Sequence, residues 1–335
     1  MRAHVILCSV SVVLLAMNTS ALVAREAPLL TKEFVDTVNR LSGGMWTAVY
    51  DGRMQNTTVS EAKRLNRATR KPVSVLPRVN FTEEELLAPL PETFDAAEKW
   101  PNCPTITEIS DQSSCGSCWA VAAATSMTDR YCTIHGVRGL RISAADLLAC
   151  CGDCGYGCLG GDPDMAWAYF SSEGIASGRC QPYPFPRCSH YTNSTTYPQC
   201  SALHLWTPTC NPACTDSTIS KKKYRGLKSY SFSGEEDFRR ELYFRGPFQA
   251  VFDVWSDLFA YKHGVYKHVG GAFIGAHAVR IVGWGNQSGV PYWKIANSWN
   301  AEWGDRGYFF MLRGDNECGI EDSGSAGVPA IPNAP

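Results

Sequence analysis

Apolar and polar positions along this chain follow two different rhythms. Between residues 116 and 170 the apolar residues recur at helical spacing. Val121, Ala124, Met127 and Tyr131 fall near one face of a helix that Ser117 and Cys118 open. Ser143-Ala-Ala-Asp146 has the outline of a capping box, with Asp in place of Glu or Gln, and predicts a second helix start. Trp167 and Phe170 would pack on the same side. From residue 225 to 335 the pattern changes. Val251-Phe-Asp-Val254, Ala278-Val-Arg-Ile-Val282 and Tyr292-Trp-Lys-Ile295 alternate or run apolar between glycine-rich turns, as strands do. Between the two regions, residues 175–224 hold six prolines and five cysteines and read as a long stapled loop. The expectation is an α+β protein with a helical lobe, a β-rich lobe and a cleft between them.

The first ninety residues behave differently. Arg2 precedes a short apolar run, Val5 to Met17, and Ala21-Leu-Val-Ala24 offers a small-residue cleavage site, so residues 1–24 read as a secretory signal. The run is shorter than the roughly 20 apolar residues a membrane span needs, and no membrane anchor is expected. Residues 25–89 contain no cysteine, carry helical patches such as Glu61 to Arg67, and break at Pro89-Leu90-Pro91. They read as a removable prosegment, or alternatively as a small accessory domain.

Composition narrows the class. Of 335 residues, 44% are hydrophobic and 19% charged, which suits an ordinary globular protein. The formal net charge of -1 supplies no field for nucleic acid or an anionic membrane. Lys221, Lys222 and Lys223 form a basic run that reads as a solvated loop. There are fifteen cysteines; Cys8 leaves with the signal and the rest lie between Cys103 and Cys318. Cys150, Cys151, Cys154 and Cys158 have zinc-like spacing, but a secreted chain makes disulfides the simpler reading, and no metal or other cofactor is expected. Asn56, Asn80, Asn193 and Asn286 each begin a glycosylation sequon.

Cys115-Gly-Ser-Cys-Trp119 is the strongest local signal. A thiol at a helix start lies beside unpaired N–H groups and the positive end of the dipole, and both favour thiolate. The plainer reading makes Cys118 one more disulfide half. Downstream, His277 stands before an apolar strand in Gly275-Ala-His-Ala-Val279, and Asn297-Ser-Trp299 follows. Asn297 can orient an imidazole through its ring N–H, and Trp299 can shield that bond from water. Gln112 can donate to an oxyanion together with the Cys118 backbone N–H.

At these residues the sequence resembles the papain superfamily and, within it, the cathepsin B group. Asp111-Gln-Ser-Ser-Cys-Gly-Ser-Cys-Trp119 is similar to the active-site segment, with Ser113 where Gly is usual. Leu90-Pro-Glu-Thr-Phe-Asp-Ala96 resembles the start of the mature enzyme, Cys150-Cys-Gly152 and Gly157-Cys-Leu-Gly-Gly161 the cysteine cluster, and Gly275-Ala-His277 the histidine motif, with Ala276 in place of Gly. Trp46 to Arg64 resembles the short propeptide that blocks the cleft. His277 lies further from Cys118 than the roughly 130–150 residues usual in papain-like enzymes, so an insertion is expected within 175–224.

The resemblance implies a papain-like two-lobe fold over residues 90–335 and a thiol protease made as a zymogen. Cys118 would be the nucleophile, His277 the base, Asn297 its orienting partner and Gln112 the oxyanion donor. Gly160 and Gly161 would pair with substrate backbone, and Pro163, Ala278 and Ser323 would line the pocket for P2, the second residue before the scissile bond. Ser323 stands where cathepsin B can carry a Glu, which implies Phe or Leu rather than Arg at P2, unless Glu321 or Asp322 turns inward. The implied disulfides are Cys103–Cys132, Cys115–Cys158, Cys150–Cys210, Cys151–Cys154, Cys180–Cys214 and Cys188–Cys200, leaving Cys118 free and Cys318 as a buried inert thiol. Residues 188–200 resemble the occluding loop, which grips a substrate C-terminus with two adjacent histidines. Here only His190 is present, followed by Tyr191, with Asp111 as its acidic partner. Expected partners are protein and peptide substrates, the protein's own propeptide and cystatin-like inhibitors. Expected delivery is to the lysosome or endosome, or out of the cell. Two other classes compete. An inactive binding protein on the same scaffold would lack one of the four catalytic residues. A metal-dependent hydrolase would need a motif such as H-E-x-x-H, which does not occur.

Overall fold

The computed structural model describes residues 28–50, 54, 57–71, 73–189, 197–200 and 205–332. The signal segment 1–24, Asn56, His190 and Asn193 lie outside the described residues.

The prosegment opens with helix α1 (Lys32–Leu41), whose N-cap Thr31 accepts from the Phe34 N–H and whose Val35 and Val38 are buried. Strand β1 (Trp46–Ala48) follows, then α2 (Val59–Leu65), opened by a full capping box between Thr58 and Glu61. The helical pattern was expected to reach Arg67. It stops at Leu65 because Arg67 and Ala68 are drawn out to pair with Ala276 and Gly161. A short α3 (Glu83–Leu87) precedes β2 (Phe94–Asp95) and α4 (Ala96–Lys99).

The helical lobe is built on α5 (Cys118–His135), α6 (Ala144–Cys150) and α7 (Pro163–Ser172). Helix α5 is buried almost all round rather than on one face, because it runs between the lobes. It ends on Gly136, whose φ of 68° is the left-handed cap that glycine allows. Ser143 caps α6 by accepting from Asp146 N–H, but the box is half formed. The Asp146 carboxylate accepts instead from Ala176 N–H and from Lys221. Lys221 is thus not a solvated member of the lysine run; it neutralises a buried carboxylate.

Short strands β3 (Ile175–Ala176) and β4 (Lys223–Tyr224) bracket the stapled region. The second lobe contains β5 (Gly226–Phe232), α8 (Glu235–Arg245), β6 (Phe248–Trp255), β7 (Tyr261–Tyr266), β8 (Phe273–Gln287), β9 (Val290–Ala296), β10 (Tyr308–Leu312) and β11 (Gly324–Pro329). The sheet order is β1-β7-β10-β9-β8-β6-β11-β5, with β2 added on β8. Neighbours are antiparallel except β10 and β7. Trp167 and Phe170 join Met127, Tyr131 and Leu147 in the helical core. Phe232, Phe248, Ile281, Trp293 and Phe309 form the β-lobe core, and prosegment residues Leu30, Val35, Trp46 and Leu65 belong to the same cluster. The described residues before Leu90 therefore share the apolar core of the β-rich lobe.

Six disulfides join Cys103–Cys132, Cys115–Cys158, Cys150–Cys210, Cys151–Cys154, Cys180–Cys214 and Cys188–Cys200. All four cysteines with zinc-like spacing are thereby consumed, which removes the metal reading for them. Cys118 and Cys318 are free thiols. Cys318 is only half-buried, and burial with the Glu317 carboxylate beside it pushes its thiol far up. Among the described residues no helix is long and apolar enough to cross a membrane.

The lobes are registered by buried charge. Arg280 on β8 pairs with Asp129 on α5, both fully or nearly enclosed. The next helix residue, Arg130, is fully buried and donates to the carbonyls of Gly327, Gly246 and Pro247, to the Tyr230 hydroxyl and to Glu241. Removing one partner strands the other charge in a site without water. Arg280→Met should therefore destabilise the protein by about 3–5 kcal/mol, read as a lower urea midpoint. Asp129→Leu combined with Arg280→Met should recover much of that loss. A double variant as unstable as Arg280→Met alone would show that the stranded charge is not the cause.

Candidate active site

Cys118 is the first residue of α5 and is wholly buried. Burial pushes its thiol up, and the polar backbone around it, first at Ala278 and then at Arg67, works in the opposite direction. Ala278 lies one residue beyond His277 on β8, so strand and helix start meet in a small cluster of Ala68, Cys118, Ala122, Val251 and Ala278. Arg67 and Ala68 come from the prosegment.

The His277 ring has a defined tautomer. Asn297 Oδ1 accepts the Ser298 backbone N–H at 2.7 Å, which fixes the amide's orientation, because a backbone N–H can only donate. The same oxygen lies 2.8 Å from His277 Nε2, so Nε2 carries the proton. His277 Nδ1 is buried and has no hydrogen-bond partner, and it is left as the lone-pair nitrogen. The Trp299 ring centroid lies 5.0 Å from the imidazole and Phe252 meets it edge-on, so the pair is shut off from water. Burial lowers the imidazole from 6.5 to about 4, with the Asn297 bond opposing. In the precursor this favours neutral thiol and neutral imidazole.

Gln112 is also fully buried. Its side-chain N–H2 donates to the Cys115 carbonyl at 2.8 Å and to the prosegment Leu65 carbonyl at 3.0 Å. Its Oε1 accepts from Ser298 Oγ at 2.7 Å, and its backbone N–H bonds the Ser298 carbonyl. Ser298 thus orients the amide toward the cleft. Its place inside Asn297-Ser-Trp299 was legible, but nothing in the sequence indicates that its hydroxyl reaches residue 112. Tyr183 was missed likewise: its hydroxyl bonds both Ser117 Oγ and the Gln112 carbonyl.

The opposite wall is the loop tied by Cys115–Cys158. Gly160 has a φ of 122°, and a Cβ there would lie 2.5 Å from the Arg67 carbonyl oxygen. Gly161 N–H donates to that carbonyl at 3.2 Å, and its own carbonyl accepts from Thr69 N–H at 2.8 Å. Across the cleft the Ala276 carbonyl accepts from Ala68 N–H. Pro163, the first residue of α7, lines a side pocket with Val251, Ser323 and Ser325. This pocket is not uncharged as the Ser323 position suggested. Glu321 turns into the core, where Trp293, Gly314 and Asn316 donate to it, but Asp322 faces the pocket.

At the other end, the Cys188 N–H and Asn300 amide donate to Asp111, and Ser189 Oγ donates to Glu302 at 3.0 Å. Glu302 is therefore engaged although the segment has no Arg to pair with it. Both sequon asparagines among the described residues, Asn80 and Asn286, are exposed. Among those residues no set of three His, Cys, Asp or Glu side chains is arranged to hold a metal ion.

Thiol, imidazole, amide donor and a glycine edge for backbone pairing define a cysteine protease site, and the sequence comparisons agree. Residues 90–328 match the family model for papain family cysteine proteases. The chain belongs to the papain family of cysteine proteases. It is 40% identical to cathepsin B-like cysteine proteinase 6 of Caenorhabditis elegans, over 92% of this chain and 86% of that one. It is 39% identical to the cathepsin B-like cysteine proteinase of Schistosoma japonicum, over 89% and 91%. Among solved structures, procathepsin B S9 from Trypanosoma congolense superposes with a TM-score of 0.85 at 56% identity, covering 91% of this chain and all of that one. Within the family, then, this is a cathepsin B-like cysteine endopeptidase in zymogen form.

Ser298→Ala should leave a titratable thiol yet lower kcat/KM about tenfold, because the Gln112 amide loses its orienting donor. Gln112→Ala should cost more, about 10²–10³-fold. Steady-state kinetics per titrated thiol checks this; equal rates for Ser298→Ala and wild type would remove Ser298 from the site.

Proposed function

We propose that Cys118 and His277 hydrolyse peptide bonds through a thioester, and that residues 25–89 are an inhibitory propeptide holding both in a neutral, blocked state. The observation that carries this reading is the strand after α2. It places the Leu65 carbonyl on the Gln112 amide, where a substrate oxyanion would sit. It pairs with the Gly161 backbone and the Ala276 carbonyl and packs Ala68 against Cys118. The strand uses the cleft's donors without offering a scissile bond.

With the strand gone, the Cys118 proton passes to His277 Nδ1. The Cys118 sulfur bonds the substrate carbonyl carbon while Gln112 and the Cys118 backbone N–H hold the oxyanion. The C–N bond breaks as His277 returns its proton to the leaving amine. Water then attacks the thioester, giving one proton to His277, and the thiol leaves with that proton. Asn297 holds Nε2 throughout, which leaves Nδ1 as the nitrogen that takes and returns the proton. Gly160 and Gly161 pair with the substrate backbone, and Pro163 and Ser323 line the P2 pocket, whereas Ala278, expected there, packs between Cys118 and Val251.

Acid should release the propeptide, with a sign set by His277. A base held below its ordinary value favours the neutral form. The closed state therefore has its full advantage above about 6.5 and loses it as pH falls toward about 4. Cys118→Ala should abolish turnover. In that inert background, separate segment 25–89 should bind the domain starting near Leu90 at least about tenfold more weakly at pH 4 than at pH 6.5, measured by calorimetry. Equal affinity at the two pH values, or equal peptidase activity of precursor and mature forms, would refute the inhibitory reading.

At the far end of the cleft we assign residues 188–200 as an occluding loop with one carboxylate-gripping histidine, His190, instead of two. The reading is an enzyme biased toward endopeptidase action, with weakened release of C-terminal dipeptides. Delivery along the secretory route to lysosome or endosome, or outside the cell, suits the leader, the disulfides and the acid trigger. Cystatin-like proteins would compete for the same cleft. Protonated His190 binds a carboxylate best, so dipeptide release should be strongest at acid pH. His190→Ala should remove most of it while endopeptidase activity stays or rises, scored with paired substrates from pH 4 to 7. Unchanged dipeptide release across that range would sink the assignment.

A further inference from the structure

Ser117 is the N-cap of α5, yet its side chain makes no capping bond. A serine at that position ordinarily accepts from the second or third helical N–H. Here the residue is fully buried and its hydroxyl lies 2.6 Å from the Tyr183 hydroxyl. The same phenol donates to the Gln112 backbone carbonyl at 3.0 Å. A carbonyl only accepts and a phenol has one proton, so the Ser117 hydroxyl is the donor to Tyr183. The bonds thus run one way, from Ser117 through Tyr183 to Gln112. Burial raises the Tyr183 phenol, which stays a protonated donor through the acid and neutral range. The segment that delivers it is stiff. Cys180-Gln-Pro182-Tyr-Pro184-Phe-Pro186-Arg-Cys188 has proline at every second place between the two cysteines. Each proline fixes its own φ and restricts the residue before it, Tyr183 included. Disulfides Cys180–Cys214 and Cys188–Cys200 tie both ends, and Phe185 meets the Tyr183 ring edge-on. The Cys188 N–H bonds Asp111, the neighbour of Gln112, so the segment grips residues 111 and 112 at two points.

We infer that Tyr183 is a positioning residue of the oxyanion site, setting the span between the Gln112 amide and the Cys118 backbone N–H. The inference rests on the peptidase reading above. One donor belongs to Gln112, whose main chain Tyr183 holds. The other belongs to the peptide that joins Ser117 to Cys118, and Tyr183 holds Ser117. A single rigid ring thereby fixes the distance between two donors that meet one oxygen. It also draws off the Ser117 hydroxyl, which would otherwise cap the Trp119 or Ala120 N–H at the start of α5. Those groups supply the positive end of the helix beside the reacting sulfur. The stapled region thus contributes to the chemistry of the site and not only to the shape of its rim.

The test compares activated wild type with Tyr183→Phe, which keeps the ring and removes the hydroxyl, per titrated thiol. The variant's kcat should fall about tenfold with KM held within about twofold, because the donors act on the transition state. A peptide aldehyde, whose adduct with Cys118 puts an oxyanion between the donors, should bind about tenfold more weakly. Inactivation by a thiol-directed epoxide, which places no carbonyl oxygen there, should keep its rate within about twofold. In a Gln112→Ala background the loss caused by Tyr183→Phe should shrink to about threefold or less, since a span needs both donors. A merely structural role would slow the epoxide as well and would cost the same in both backgrounds. Either of those results, or an unchanged kcat, overturns the positioning role. If Tyr183→Phe does not fold, Ser117→Ala breaks the same series of bonds from its other end. It should lower kcat and leave the urea midpoint in place, because this hydroxyl caps nothing; an unchanged kcat there overturns the proposal equally. Epoxide titration of wild type separates the two readings. No titratable thiol means the peptidase reading has failed; a titratable thiol with an unmoved kcat in the variants means only the role of Tyr183 has.

Discussion

Arg280 holds together three parts of the site that are far apart in the chain. It lies three residues beyond His277 on β8, so its position sets that of the imidazole. It pairs with Asp129 on α5, the helix whose first residue is Cys118. Its remaining donors take the carbonyls of Thr105, Ile106 and Glu108, the segment leading to Gln112. Asp129 is further held by the Thr105 hydroxyl at 2.7 Å. A buried charge tolerates few alternative partners, since leaving it alone costs several kcal/mol. A slip of α5 along β8 would strand both this pair and the Arg130 bonds. Apolar packing alone would resist such a slip less sharply, because it is not directional.

Given that registration, Cys118, His277 and Gln112 are in place before any substrate arrives. On the inhibitory reading proposed above, the segment acts by occupation rather than by distortion. The propeptide accepts from Gln112, pairs with Gly161 and bonds the Ala276 carbonyl, all groups that a peptide in the cleft could use. Its burial of the site adds an electrostatic effect. With water excluded, the thiol is pushed up and the imidazole down, so a thiolate–imidazolium pair is disfavoured while the segment is in place.

The propeptide is also a structural part of the precursor. Trp46 is fully buried, donates to the Lys267 carbonyl and packs against Tyr261 and Tyr266. Strand β1 extends the sheet at β7. Such a segment cannot leave by local fraying. It has to give up a share of a common core, which suits a switch that opens under changed conditions rather than spontaneously. The stapled region contrasts with this. It has little regular backbone pairing among its described residues, and disulfides to Cys150 and within the region do the holding.

Local patterns in the sequence carried much of the architecture. The apolar periodicity placed α5, and the alternating runs placed β6, β8 and β9, because burial on a helix or a sheet imposes its own period. The Cys118 helix start, the Gln112 offset and the Asn297-Ser-Trp299 segment are short-range features and were visible as such. The disulfide pairs were not readable from spacing; they came from the family resemblance, since connectivity depends on which loops meet. Only the tertiary structure decided where α2 stops, because the pull on Arg67 and Ala68 comes from residues more than ninety positions away. It alone decided that Asp322 rather than Glu321 faces the pocket. Adjacent residues on a turn point in different directions, and Trp293 captures Glu321. Ser298, Tyr183 and Lys221 owe their roles to partners distant in sequence, and no local pattern encodes such a meeting.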